Sequence, residues 1–120
     1  KFSNVQKKLA SSALNVLKVG GEMVYSTCTL APEEDEEVVD FLMRNFDIEI
    51  VNISKELSKS LKVRRGVVKW EGKQYDKEVE KCVRLYPQDN NTHGFFLAKI
   101  KKLSDCNKVV LSRRIIILFP

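Results

Sequence analysis

Val5, Leu9, Ala13, Leu14, Val16 and Leu17 recur at roughly helical spacing while Lys7, Lys8 and Asn15 fall between them, which predicts an amphipathic helix over residues 3–18. Ser3 is the expected N-cap, and Gly20-Gly21 is expected to end the helix through a left-handed residue past the C-cap. Residues 22–30 then read as a strand, with Met23, Val24 and Tyr25 as a short apolar run. A second helix follows. Pro32 suits its first turn, and the acidic run Glu33, Glu34, Asp35, Glu36, Glu37 sits where the macrodipole is positive. Val38, Val39, Leu42, Met43 and Phe46 form its inward stripe. Residues 47–53 alternate as a strand does, with Ile48, Ile50 and either Val51 or Ile53 facing inward.

The pattern weakens over residues 54–82, which are polar and Lys-rich. Within them, Val67-Val68-Lys69-Trp70 and Lys73-Gln74-Tyr75 around Gly72 predict a small hairpin. Arg84-Leu85-Tyr86-Pro87 leads into a polar turn, and residues 94–101 are the clearest strand after it, with Phe95 or Phe96 packed inward. The tail over 104–120 reads either as one more strand or as an aggregation-prone extension. No segment repeats. Helix, strand, helix, strand and a closing strand make the end of an open α/β sheet, where sites lie at the carboxyl ends of parallel strands. That rule singles out residues 26–29, Ser-Thr-Cys-Thr.

Composition narrows the class. At 120 residues with 43% hydrophobic and 31% charged positions, the chain has room for one modest core. It is too apolar for disorder, too poor in Gly and Pro for a linker, and has no apolar run of the ~18–20 residues that span a membrane. The chain opens on Lys1 without a signal-peptide pattern, so a cytosolic setting is expected. Charge is uneven: residues 1–60 carry a net of −3 and residues 61–120 a net of +8. The second half therefore faces either a polyanion such as RNA or simply water. Cys28, Cys82 and Cys106 are widely spaced, without a metal-ligand or disulfide pattern, and one of them is open to a nucleophilic role.

The stretch Gly-Gly-x-x-Val-Tyr-Ser-Thr-Cys-Thr-Leu-Ala-Pro-Glu-Glu-Asp-Glu at 20–36 closely resembles the cysteine motif of the Sun/Nop family of RNA cytosine-5 methyltransferases. Arg84-Leu-Tyr-Pro87 and Thr92-His-Gly-Phe-Phe-Leu-Ala-Lys99 are similar to the closing hairpin of that family, so the resemblance spans residues 3 to about 102. It implies the C-terminal portion of a Rossmann-like methyltransferase sheet: the last three strands with their helices and a closing antiparallel hairpin. It also implies S-adenosylmethionine as cofactor, RNA (tRNA or rRNA) as substrate, and Cys28 as the nucleophile. The chemistry needs a thiol. Cytosine C5 is too weak a nucleophile to take a methyl group unaided, and thiolate addition at C6 makes it enamine-like. Cys82 and Cys106 match no motif of the family and are expected to be inert. His93 sits in a turn where the motif asks for no catalysis. Arg64, Arg65 and Arg84 are candidate phosphate contacts, with a solvated charge as the alternative for each. The acidic run reads as helix capping and not as a metal site.

The resemblance also defines what 120 residues leave out. The glycine-rich cofactor loop, the acidic ribose contact and the Pro-Cys motif of the family lie before the matching region. Residues 1–103 are expected to be the C-terminal segment of the catalytic domain, inactive alone, and residues 104–120 an atypical tail. The strand around Val24 should be interior in a complete domain, so its outer edge is expected to be unpaired here. The missing half of the domain or a second copy of the chain would then cover it. The alternative function is a non-catalytic RNA-binding or assembly module built on the same sheet end.

Overall fold

The structure, a computed structural model, describes residues 2–105 and the backbone of 113–118. In chain order the elements are α1 (Phe2–Val16), β1 (Leu17–Thr27), a 3-10 turn (Pro32–Glu34), α2 (Glu36–Asn45), β2 (Ile48–Val51), α3 (Ser54–Leu57), β3 (Arg64–Arg65), β4 (Lys69–Trp70), β5 (Lys73–Gln74), a second 3-10 turn (Lys77–Lys81), β6 (Val83–Leu85), α4 (Pro87–Asn90), β7 (Phe95–Lys102) and β8 (Arg113–Leu118). No described helix is long and apolar enough to cross a membrane.

β7 organises the sheet. One edge pairs antiparallel with β1, from Glu22↔Lys101 to Thr27↔Phe96. The other edge is shared: β6 pairs with residues 95–97 and β2 with residues 99–102, both antiparallel. β3 lies outside β6. β8 runs parallel to β1, placing residues 115–118 beside Glu22, Met23, Val24 and Tyr25. The described sheet has six strands, the expected β1, β2 and β7 among them, and the edge of β1 expected to be open is occupied by the tail. β4 and β5 form the separate small hairpin that the residues around Gly72 predict.

Side chains alternate strictly along β7. Phe96, Ala98, Ile100 and Lys102 face inward, and the first three join Met23, Tyr25, Ile48, Ile50, Val38, Val39, Leu42 and Leu14 in one core. Tyr25 and Phe96 meet edge to face with centroids 6.3 Å apart. Each large apolar side chain buried in this way contributes roughly 1.5–3 kcal/mol.

The fourth inward position explains how α1 ends. Lys102 is 3% exposed, and its Nζ donates to the carbonyls of Leu14 at 2.7 Å and Leu17 at 2.8 Å while pairing with Asp105 at 2.7 Å. A cation supplied by β7 thus satisfies the last-turn carbonyls, the favourable end for positive charge. No left-handed cap is needed. Contrary to expectation, α1 stops at Val16 and Gly20-Gly21 lies inside β1, where Gly20 takes φ 83° and the β1–β8 register shifts between Leu17 and Glu22. Ser3 falls within the helix, and its hydroxyl donates to Glu37 at 3.5 Å. Part of the predicted apolar stripe also faces out: Val5 is 55% and Leu9 46% exposed, because no described element packs over that side of α1.

Candidate active site

β1 delivers its last residues to one end of the sheet. Ser26 and Thr27 are buried there and Cys28, one residue beyond the strand, is exposed. The turn that follows is pinned through its threonines. Thr27 Oγ1 lies 2.5 Å from Asp35 Oδ1 and 3.0 Å from the Thr29 carbonyl oxygen. The Ala31 amide donates to Thr29 Oγ1 at 3.2 Å. Gly94, at the start of β7, closes over the same turn: a Cβ there would come within 2.9 Å of Leu30 Cδ1.

The acidic run does not cap α2. Asp35 occupies the N-cap position but its side chain bonds no helix amide. Each member of the run instead reaches a different part of the fold. Glu33 accepts from Trp70 Nε1 at 3.3 Å, and Glu34 accepts from Gln6 Nε2 at 3.2 Å. Glu37 takes Lys7 at 3.2 Å and Lys73 at 3.0 Å. Glu36 is wholly buried and receives Arg84 Nε at 2.6 Å, Arg84 Nη2 at 2.7 Å and the Val67 amide at 2.7 Å. Asp35, also wholly buried, stands 3.7 Å from Arg84 Nη2. Within little more than one turn the run faces α1, β1, β4, β5 and β6, so its charge is met by tertiary partners.

Titration follows from this packing. Burial pushes the Asp35 carboxyl up to about 8, the neighbouring Glu36 and Glu34 adding to the shift and the Thr27 bond and Arg84 opposing it. Burial, then Glu36 and Asp35, push the Cys82 thiol up as well. Burial alone would lower Arg84, but its bonds to Glu36 more than reverse that and keep it charged.

Of the residues singled out as phosphate contacts, Arg84 has another role. It is 2% exposed, neutralises Glu36, and reaches Tyr86 Oη at 3.3 Å, so it points into the protein and away from any ligand in solution. Flanked by Val83 and Leu85 on a strand whose three residues are all buried, it never reaches water. Arg64 and Arg65 do face solvent. Arg64 forms a two-pronged pair with Asp89 at 2.8 and 2.9 Å and stacks 4.5 Å above the Tyr86 ring. Arg65 has an 82% exposed side chain and only a 3.6 Å approach to Glu80. His93 is exposed in the turn before β7. Cys82 is 1% exposed beneath the Glu36–Arg84 pair, and Cys106 lies outside the described residues. Thr27 falls within the stretch 26–29 that the sequence singles out, but Asp35 and Glu36 were read only as part of a capping run. One signal was present: Asp35 shares helical spacing with Val39 and Leu42, and a carboxylate on an apolar stripe demands a partner.

Residues 1–101 match the family model described as 16S rRNA methyltransferase RsmB/F. The chain belongs to this family. A tRNA (cytosine(49)-C(5))-methyltransferase of Pyrococcus abyssi is 46% identical over 100 residues, which cover 83% of this chain and 31% of that protein. Among solved structures, a methyltransferase homolog from Pyrococcus horikoshii superposes with a TM-score of 0.75 at 38% identity, covering 84% of this chain and 31% of the other. NSun6 from the same organism, solved with SFG, gives 0.63 at 31% identity over 86% of this chain and 23% of its own. The resemblance to the RNA cytosine-5 methyltransferases and their Rossmann-like fold therefore holds, and the chain spans about a third or less of these relatives.

Proposed function

We propose that this chain carries the nucleophile of an RNA cytosine-C5 methyltransferase and that the nucleophile is Cys28. One observation carries the reading: within the family-matched residues, Cys28 is the exposed thiol at the carboxyl end of β1, in a turn pinned by Thr27 and Thr29. Its thiolate adds to C6 of a cytosine, a C–S bond forms, and the ring π electrons move so that C5 becomes enamine-like. Loss of the C5 proton after methylation re-forms the double bond and expels the thiolate. The substrate class is RNA, and among the described residues Arg65 is the solvent-facing guanidinium able to meet a phosphate without first breaking a close ion pair.

S-adenosylmethionine is the methyl donor implied by the family. Cavities lie beside Phe2 and Leu9 of α1, beside His93, beside Gly20 and beside Lys73, and these four do not have Cys28 in their walls. In this reading, which rests on the family resemblance, cofactor binding belongs to a part of the catalytic domain outside these residues, and the segment by itself is expected to be inactive.

The test is a chimaera in which residues 1–101 replace the matching stretch of the Pyrococcus abyssi relative. With cofactor and RNA containing 5-fluorocytosine, whose C5 has no proton to lose, the chimaera should form an RNA adduct that survives denaturation and maps to Cys28. Cys28→Ser should abolish it. Equal trapping by the Ser variant, or no adduct from a folded, RNA-binding chimaera, would overturn the assignment.

A further inference from the structure

Two independent counts at the buried end of β1 leave a proton to be placed. The first is of donors. The Thr27 hydroxyl has one hydrogen, yet Oγ1 approaches two acceptor atoms, Asp35 Oδ1 at 2.5 Å and the Thr29 carbonyl oxygen at 3.0 Å. Both contacts are hydrogen bonds only if Asp35 brings a proton of its own: Asp35 donates to Thr27 Oγ1, and Thr27 donates to Thr29. The second count is of charge. One guanidinium, Arg84, lies among two wholly buried carboxyls, and both of its short bonds go to Glu36. Among the described residues Asp35 Oδ2 has no hydrogen-bond partner and sees Arg84 only at 3.7 Å. A second buried anion there would be uncompensated.

We propose that Asp35 is a positioning residue for Cys28: it holds a proton and, through Thr27, fixes the Thr29 carbonyl and with it the turn that presents the thiol. The inference rests on Cys28 being the reactive residue. When Asp35 ionises, the Thr27 hydroxyl turns to it, the Thr29 carbonyl loses its donor, and a negative charge appears beside the turn. The elevated titration of Asp35 agrees with both counts. The groups that face Asp35 are Glu34 in the 3-10 turn, Glu36 at the start of α2, Arg84 of β6, Tyr25 of β1 and the Cys82 thiol. Of these charged and titratable groups only Arg84 favours ionisation of Asp35, alongside the Thr27 hydroxyl bond. Asp35→Asn is the isosteric mimic of the protonated form, because its amide donates to Thr27 without any titration.

Two readouts on this chain, neither needing RNA, test the proposal. The first is the carboxyl carbon shift of Asp35 followed by NMR against pH. It should move near pH 8 and not near the 3.8 of an ordinary aspartate. The second is iodoacetamide alkylation of Cys28, read on the Cys28 peptide by mass so that Cys82 and Cys106 do not contribute. The ratio of the Asp35→Asn rate to the wild-type rate should change in a step near pH 8, because Asp35 ionises and loosens the turn in wild type alone. Amide exchange of residues 28–30 should quicken roughly tenfold or more in Thr27→Val, while Thr27→Ser retains protection. Ordinary titration of Asp35, or superimposable alkylation profiles, would overturn the proposal. If Asp35→Asn does not fold, the Thr27 pair decides it, since equal exchange in the Val and Ser variants removes the relay. Failure here leaves the RNA adduct result untouched, and failure of that adduct leaves these readouts intact.

Discussion

Arg84→Met isolates the buried ion pair. The substitution keeps the length and apolar stem of the side chain but removes its charge. Glu36, wholly buried, then loses the donors at 2.6 and 2.7 Å and keeps only the Val67 amide. Hydrogen bonds to charged groups contribute roughly 1.5–3 kcal/mol each, and stranding one member of a buried pair costs about 3–5 kcal/mol in total. A loss of about 4 kcal/mol is therefore expected, a large share of the ~5–15 kcal/mol that holds a domain together. In urea, with a slope of ~1–3 kcal/mol per molar, the midpoint should fall by roughly 2 M. Added salt should barely change the difference, because a buried pair is weakly screened. Replacing both partners, Arg84→Met with Glu36→Met, should recover most of the loss, since no charge is left stranded. A single variant within about 0.5 kcal/mol of wild type would refute the reasoning, because that is how a solvated surface arginine behaves.

Other outcomes follow from the same contacts. The folded-state pKa of Asp35 is raised from 3.8 to about 8, so the folded chain holds a proton that the unfolded chain releases in between. Stability should thus fall as pH rises from about 4 to about 8 and level off above, by at most about 1.4 kcal/mol per pH unit; urea midpoints against pH should show this slope, and Asp35→Asn should lack it. Glu37 and Asp89 have the opposite sign and act in a separate window, since their lowered pKa values remove stability only in acid, as pH falls through those values. Lys102→Met leaves the carbonyls of Leu14 and Leu17 without their donor and should cost about 2–4 kcal/mol in the same assay, with loosened amide exchange at the end of α1. Gly66→Ala sets a Cβ within 2.0 Å of the Val79 carbonyl oxygen, a backbone atom that cannot swing aside, and a melting curve should register a loss of about 1–3 kcal/mol.

What was legible beforehand depended on sequence distance. Alternation marked β2, the apolar stretch after Gly94 marked β7 and Gly72 marked the hairpin, whereas the strand expected over 22–30 ends early, at Thr27. Phe96, and not Phe95, is the fully buried member of its pair, as the alternation of β7 requires. The misreadings share one cause. Gly20-Gly21 looked like a helix end because its true competitor, Lys102, lies 85 residues away from the Leu17 carbonyl it satisfies. The acidic run looked like dipole compensation because Arg84, its buried counter-charge, is 48 residues from Glu36. Arg84 in turn looked like a phosphate contact because a three-residue strand shows too little pattern to mark an inward arginine.

By itself, then, the sequence determined the main helices and strands, the motif that holds Cys28, and the family to which residues 1–101 belong. These properties are carried by local periodicity and by a contiguous motif. Only the tertiary structure decided which charges are buried, that β8 covers the edge of β1, and that Thr27 joins Asp35 to the turn beside Cys28. The physical reason is that a buried polar group takes its meaning from its partner. Desolvation makes an unpartnered charge untenable, and here most of those partners are brought in by strands from the far end of the chain.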